Sequence, residues 1–210
     1  MSTHDDFASE PVPGLPARPP KGEDILWQGR PDSFALARDA YKINWFAGYF
    51  VVLAVWRASI IGDTLGERVL VTLPYLGLGL AFCAMLYLIA LIQARSTLYT
   101  LTTARVAMRI GAALTVTLNI PFKQVANANL VLRKNGTGSI ALDTMGDTTI
   151  SYLVCWPHVR PWRLAKTHPM LRCIPDAERV AKLLAEAAQT RLNQPEVSRV
   201  PTSLTLSPAE

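Results

Sequence analysis

Cys155, His158, His168 and Cys173 lie close together in CWPHVRPWRLAKTHPMLRC. These residue types could in principle supply the four ligands of a tetrahedral zinc site. The spacing of the inner pair is not a common zinc pattern, and the intervening Pro and Trp residues fit packing better, so no bound metal is expected. The same segment carries Trp156, Arg160, Trp162 and Arg163. Trp and Arg are enriched at interaction hot spots. These four, with Arg105 and Arg109, are the candidate contacts for a partner or a membrane. The alternative is a tryptophan-anchored loop packed on a sheet or resting at a membrane interface. The chain has no Gly-rich phosphate loop, no Ser-centred nucleophile elbow and no paired-carboxylate motif. No catalytic residue and no cofactor is expected.

The elements that position these residues begin with two apolar runs. Half of the 210 residues are hydrophobic, and the excess is concentrated at 43–61 and 69–94. About 20 apolar residues cross a bilayer core as a helix. The second run carries no charge. The first contains Arg57 near its end, where a guanidinium can snorkel to the interface. Trp45, Tyr49 and Trp56 suit interfacial positions. The short connection GDTLGER forces an antiparallel hairpin with both chain ends on one side. Arg30, Arg38 and Lys42 precede the first run, and Arg95, Arg105 and Arg109 follow the second. The positive-inside rule then places both termini in the cytoplasm. Ala54 and Ala58, with Gly77 and Ala81, have the small-residue spacing that permits close helix contact. The same faces could also support a homo-oligomer. Pro74 is expected within the first turn or two of its helix. His4, His158 and His168 all lie outside the two runs, so neither helix offers an axial imidazole to a pigment. Cys83, Cys155 and Cys173 do not suggest a disulfide framework.

Four regions follow: an N-terminal segment at 1–42 with a Pro-rich start, the hairpin at 43–94, a β domain at 95–192, and a tail at 193–210. In the β domain, TLYTL, RVAMRI, LTVTLNI, NLVLRK, SIALD and TTISYLV read as strands separated by turn signals. Asn135-Gly136 is the strongest hairpin signal among them. Residues 155–175 read as irregular. Asp176 offers a helix N-cap, and Val180, Leu183, Leu184, Ala187 and Ala188 line one face of the following helix. The expectation is an antiparallel sheet that curls and is closed by this helix.

Charge is uneven. Ten Lys or Arg face two acids, Asp143 and Asp147, between Arg95 and Cys173. Basic residues near an anionic leaflet contribute about 1 kcal/mol each, so an anionic membrane surface is an expected partner. No nucleic-acid recognition motif is present.

The LTTAR hairpin after a span, Gly111, the IPFKQV turn and the KNGTG hairpin together resemble the bacterial pleckstrin-homology-like domains of membrane proteins. That resemblance implies a bent sheet of about seven strands capped by a C-terminal helix. DDFASEPVPGLP, GEDILWQGRPDSFALARDAYKI, WFAGYFVVLAVWR and HPMLRCIPDAERVAKLLAEA are similar to the photosynthetic reaction-centre assembly family of purple bacteria, over nearly the whole chain. The resemblance implies a non-enzymatic, transient scaffold in the bacterial inner (intracytoplasmic) membrane. Its partners would be the reaction-centre H, L or M subunits and assembly intermediates of the core antenna. The competing reading is a membrane-tethered lipid- or signal-sensing module of the same fold, unrelated to photosynthesis.

Overall fold

The structure is a computed structural model that describes residues 12–15, 17–61, 63–111, 115–133, 136–145, 150–164 and 166–193. Most of the Pro-rich start, Asn135, Gly146 and Asp147 of the expected turns, and the tail beyond 193 lie outside the described residues.

Two helices dominate one end. Helix α1 (Ser33–Asp39) is short, and its first turn is capped by the Asp32 carboxylate, which accepts from the Ala35 N–H at 2.7 Å. Helix α2 (Ile43–Ile61) and helix α3 (Leu65–Ser96) then form an antiparallel pair. Both are long and apolar enough to cross a bilayer. Only 6% and 11% of their most apolar stretches are buried by the rest of the chain, which sets them apart from the core helix of a globular domain. Helix α3 starts earlier than its apolar run because Thr64 and Glu67 form a reciprocal capping box. Pro74 therefore lies inside the helix rather than in its first turn or two.

The close approach of α2 and α3 also differs from the expected small-residue pairs. Ala54 is buried, but Ala81 is exposed and a Cβ on Gly77 would meet nothing within 4 Å. The tight point is Gly79, where a Cβ would sit 2.7 Å from the Phe50 Cβ. Phe46 and Phe50 both pack on the Phe82 ring, at 5.1 and 5.8 Å between centroids. Arg57 donates to the Tyr75 hydroxyl across the pair at 3.1 Å. Cys83 Sγ lies 4.0 Å from the Ile43 carbonyl, so α3 runs past the start of α2 by about 20 Å. Helix α1 covers that extension, burying Leu36 against Ala94 and Cys173.

Two antiparallel sheets make up the other end, where the sequence suggested one bent sheet. The first has the order β1 (Ile25–Gly29), β2 (Leu98–Thr102), β3 (Arg105–Ile110), β4 (Val116–Pro121). Strand β1 precedes the helices in sequence but pairs with β2 after them, with Trp27 opposite Leu101 and Gly29 opposite Tyr99. A 3-10 turn at Phe122–Gln124 leads to the second sheet, β5 (Val125–Leu132), β6 (Thr137–Thr144) and β7 (Met170–Pro175). Gly136 has φ +78 in the β5–β6 turn, where the Arg133 N–H donates to the Thr137 carbonyl.

Tyr152–Cys155 forms a single helical turn, α4, where residues 152–154 were expected to end a strand. Residues 170–175, expected as irregular, form β7 at the edge of the second sheet.

Helix α5 (Ala177–Leu192) packs on β5, β6 and the 3-10 turn. Ala177, Val180, Leu184 and Ala187 are buried, with Leu183 and Ala188 partly so. Their core partners include Met108, Phe122, Ile140 and Ile174, so residues from both sheets share one core. Asp176 does not act as the expected side-chain cap: its φ is +51 and its carboxylate makes no cap hydrogen bond. What seats α5 is Gly138 on β6, where a Cβ would lie 2.5 Å from the Ala177 Cβ and 2.9 Å from the Val131 carbonyl oxygen. Gly138→Ala is therefore expected to cost about 1–3 kcal/mol, read as a lowered midpoint of thermal unfolding in detergent. An unchanged midpoint would mean that α5 is not held against β6.

Candidate functional site

The chain leaves α3 at Thr97 and enters the domain through a buried polar network. Thr97, Tyr99 and His158 are fully buried, and Arg172 is 6% exposed. The Arg172 N–H donates to the Tyr99 hydroxyl at 3.2 Å. That hydroxyl lies 2.6 Å from His158 Nδ1, and His158 Nε2 lies 3.1 Å from the Thr97 hydroxyl. A neutral imidazole satisfies this arrangement, accepting from Tyr99 at Nδ1 and donating to Thr97 from Nε2. Burial, reinforced by the Arg172 charge, pushes the His158 pKa down to about 3. Burial likewise raises the Tyr99 phenol above its ordinary value.

Asp39, the last residue of α1, is the charged centre of the junction. Its Oδ2 is 3.1 Å from Arg172 Nε on β7 and 2.6 Å from an Arg133 guanidinium nitrogen just beyond β5. Burial alone would raise this carboxyl. The Arg133 hydrogen bond, then the charges of Arg172 and Arg133, outweigh it and hold Asp39 below its ordinary value. Arg172 also donates to the Pro157 carbonyl at 2.9 Å. One carboxylate thus joins the helical end to the second sheet, and one guanidinium extends the joint to the segment after α4.

The candidate contact residues fall in two places. Trp156, Arg160, Trp162 and Arg163 share the excursion between α4 and β7. Its stem is closed by the Val159–Pro169 pairing and by the Arg160 N–H donating to the His168 carbonyl. Trp156 packs edge-on against Tyr41, just before α2, at 5.1 Å between centroids. Trp162 is 92% exposed, with φ +64. Arg163 is exposed, and Arg160 lies 3.7 Å from Asp143. Leu164 adds exposed apolar surface to the same excursion, and Leu153 of α4 adds more beside it. The two arginines of β3 are placed elsewhere. Arg105 makes a two-point ion pair with Glu23, at 2.8 and 2.9 Å. Arg109 is 6% exposed, opposite Leu98.

Among the described residues, no group of three or more His, Cys, Asp or Glu side chains is arranged to hold a metal. Both ring nitrogens of His158 are engaged within the protein. Burial, with the neighbouring Asp39 charge, pushes the Cys173 thiol up to about 11, and burial raises Cys155 as well. What the junction can do is hold two bodies in a fixed relation; the excursion beside it presents aromatic and cationic side chains. Asp39, Arg133, Arg172 and Tyr99 were not singled out from the sequence. The one available signal was an acidic residue, Asp39, four positions before an apolar run and between the cations Arg38 and Lys42.

The helical pair is thus inserted between β1 and β2 of a domain of two antiparallel sheets. Residues 46–188 match the bacterial PH domain family, and the chain belongs to it. A protein of Rhodobacter capsulatus described as an uncharacterized 23.7 kDa protein in the puhA 5' region is 46% identical over 207 residues, covering 96% of this chain and 95% of that protein. No solved structure matches the chain.

Two expectations follow from the junction. Asp39→Ala leaves the buried Arg172 guanidinium without its carboxylate and is expected to cost about 3–5 kcal/mol, measured by denaturant unfolding in detergent. Proton linkage gives the second. The lowered His158 pKa makes its contribution complete above 6.5 and lost as pH falls toward about 3. The lowered Asp39 pKa makes its contribution complete above 3.8 and lost below that. His158→Gln is therefore expected to flatten the stability profile between pH 6.5 and 4 while leaving the steeper acid limb. An unaltered slope in that window would show that His158 is not the group being titrated.

Proposed function

We propose that this chain is a non-enzymatic membrane assembly factor, of the PuhB type, for the photosynthetic reaction centre and its core light-harvesting complex. It acts as a transient scaffold. Helices α2 and α3 cross the bacterial inner membrane, and both ends of the chain lie on the cytoplasmic side. The PH-like domain stands directly on that surface and offers the Trp156–Arg163 excursion to reaction-centre subunits or to assembling antenna. The observation that carries this reading is the full-length relative whose description places it in the puhA 5' region, a photosynthesis gene context. The length and exposure of the two apolar helices support the membrane placement. The near-absence of linker between α3 and β2 supports a domain held at the surface.

Deletion of the gene is expected to lower the reaction-centre and core-antenna bands in near-infrared spectra of membranes. Unchanged bands would remove the assembly role and favour the lipid- or signal-sensing alternative. Trp162→Ala touches a side chain that is 92% exposed. It is expected to change stability by less than about 0.5 kcal/mol while reducing copurification of reaction-centre subunits with the tagged protein. Full copurification would move the contact away from this excursion.

A further inference from the structure

Where α1 turns into α2, two cavities meet. The first, about 360 Å³, is lined by Arg38, Asp39, Lys42, Asn44, Trp45 and Arg133. The second, about 580 Å³, is an apolar groove along the outer face of α2 lined by Asn44, Trp45, Gly48, Tyr49 and Val52. Asn44 and Trp45 line both, so a polar cavity opens into an apolar groove. Three cations face one carboxylate in the polar part, and that carboxylate already serves the buried Arg172 as well as Arg133. Arg38 and Lys42 are exposed, and among the described residues no acid pairs with either. The Nε of Arg133 is buried without a hydrogen-bond partner among the described residues. Trp45 is 79% exposed and Tyr49 59% exposed, at the end of α2 nearest the domain. Aromatic side chains of this kind sit at the level of lipid headgroups.

We infer that this pair of cavities binds one anionic phospholipid, with its phosphate among Arg38, Lys42 and Arg133 and an acyl chain along Gly48 and Val52. The inference rests on the placement of α2 in a bilayer. A soluble anion would use the polar cavity but has no use for an apolar groove that continues from it. A zwitterionic lipid fits the groove but leaves the cations without a net countercharge. Gly48 leaves the groove open, since a Cβ there would meet nothing within 4 Å. The bound lipid would bridge α1, α2 and the end of β5, adding to the joint that Asp39 makes.

The test uses full-length protein in nanodiscs of zwitterionic lipid, with a minor fraction of either phosphatidylglycerol or phosphatidylcholine carrying brominated acyl chains. The quenching difference between the parent protein and Trp45→Phe isolates Trp45. Brominated phosphatidylglycerol is expected to quench Trp45 several-fold more effectively. Arg38→Gln and Lys42→Gln should each weaken that preference about fivefold, while Lys21→Gln, at an exposed position beside the β2–β3 turn, leaves it unchanged. Gly48→Leu, which places a side chain in the groove, should reduce the quenching by phosphatidylglycerol. Equal quenching by both lipids would overturn the site while leaving α2 in the bilayer. Quenching by neither would remove the membrane placement and the site together. If added inorganic phosphate abolished the preference, the cavity would belong to a soluble anion and the lipid assignment would fall; a preference that survives phosphate supports it.

Discussion

A single carboxylate at the end of α1 holds two guanidinium groups brought from distant parts of the chain. Asp39 accepts from Arg172 on β7 and pairs with Arg133 beyond β5. Desolvating such charges is costly, and the geometry must repay the cost through several hydrogen bonds. Here Arg172 gains a second partner in the Pro157 carbonyl, and its backbone N–H joins the Tyr99 and His158 chain. Removing any one of these groups strands another in a buried setting. The cluster ties the end of α1 to β7 and to the residue after β5 in one fixed relation.

That fixed relation gives the molecule its form. The connection from α3 to β2 is Thr97 alone, and Thr97 is itself locked by His158. Strand β1 closes the other side of the loop, pairing across β2 before the chain turns into α1. The helical pair is therefore gripped on both strands of its attachment. The excursion carrying Trp156 and Trp162 springs from the same joint, because Trp156 rests on Tyr41 and Pro157 is held by Arg172. This construction presents the aromatic and basic side chains of the excursion in a set orientation. A flexible tether would lose that advantage to the entropy of ordering on contact.

Local patterns carried much of the architecture into the sequence. The two apolar runs became α2 and α3, because length and nearly unbroken apolarity are sufficient to define such helices. The KNGTG turn became the β5–β6 hairpin through Gly136, and the apolar face of residues 177–192 became the buried face of α5. Pairings between distant segments were not legible. Residues 25–29 and 170–175 are edge strands whose partners lie far along the chain or across an irregular excursion. Ile25–Trp27 reads as strand-like without naming its partner, and residues 170–175 do not read as a strand at all. The candidate arginines divided for the same reason. Arg105 is committed to Glu23, which no local pattern links to it, whereas Arg163 stays in solvent.

The sequence by itself determined the number and place of the apolar helices, the uneven placement of cations, and the presence of a strand-rich domain with a terminal amphipathic helix. Each of these follows from composition and periodicity within a single segment. Only the tertiary structure decided that the sheet divides in two, that β1 completes the first sheet from before the helices, and that Asp39, Arg133 and Arg172 meet. Those outcomes depend on which buried polar group finds which partner once the apolar surfaces have closed. That choice is made in three dimensions, by the cost of leaving any of them unmatched.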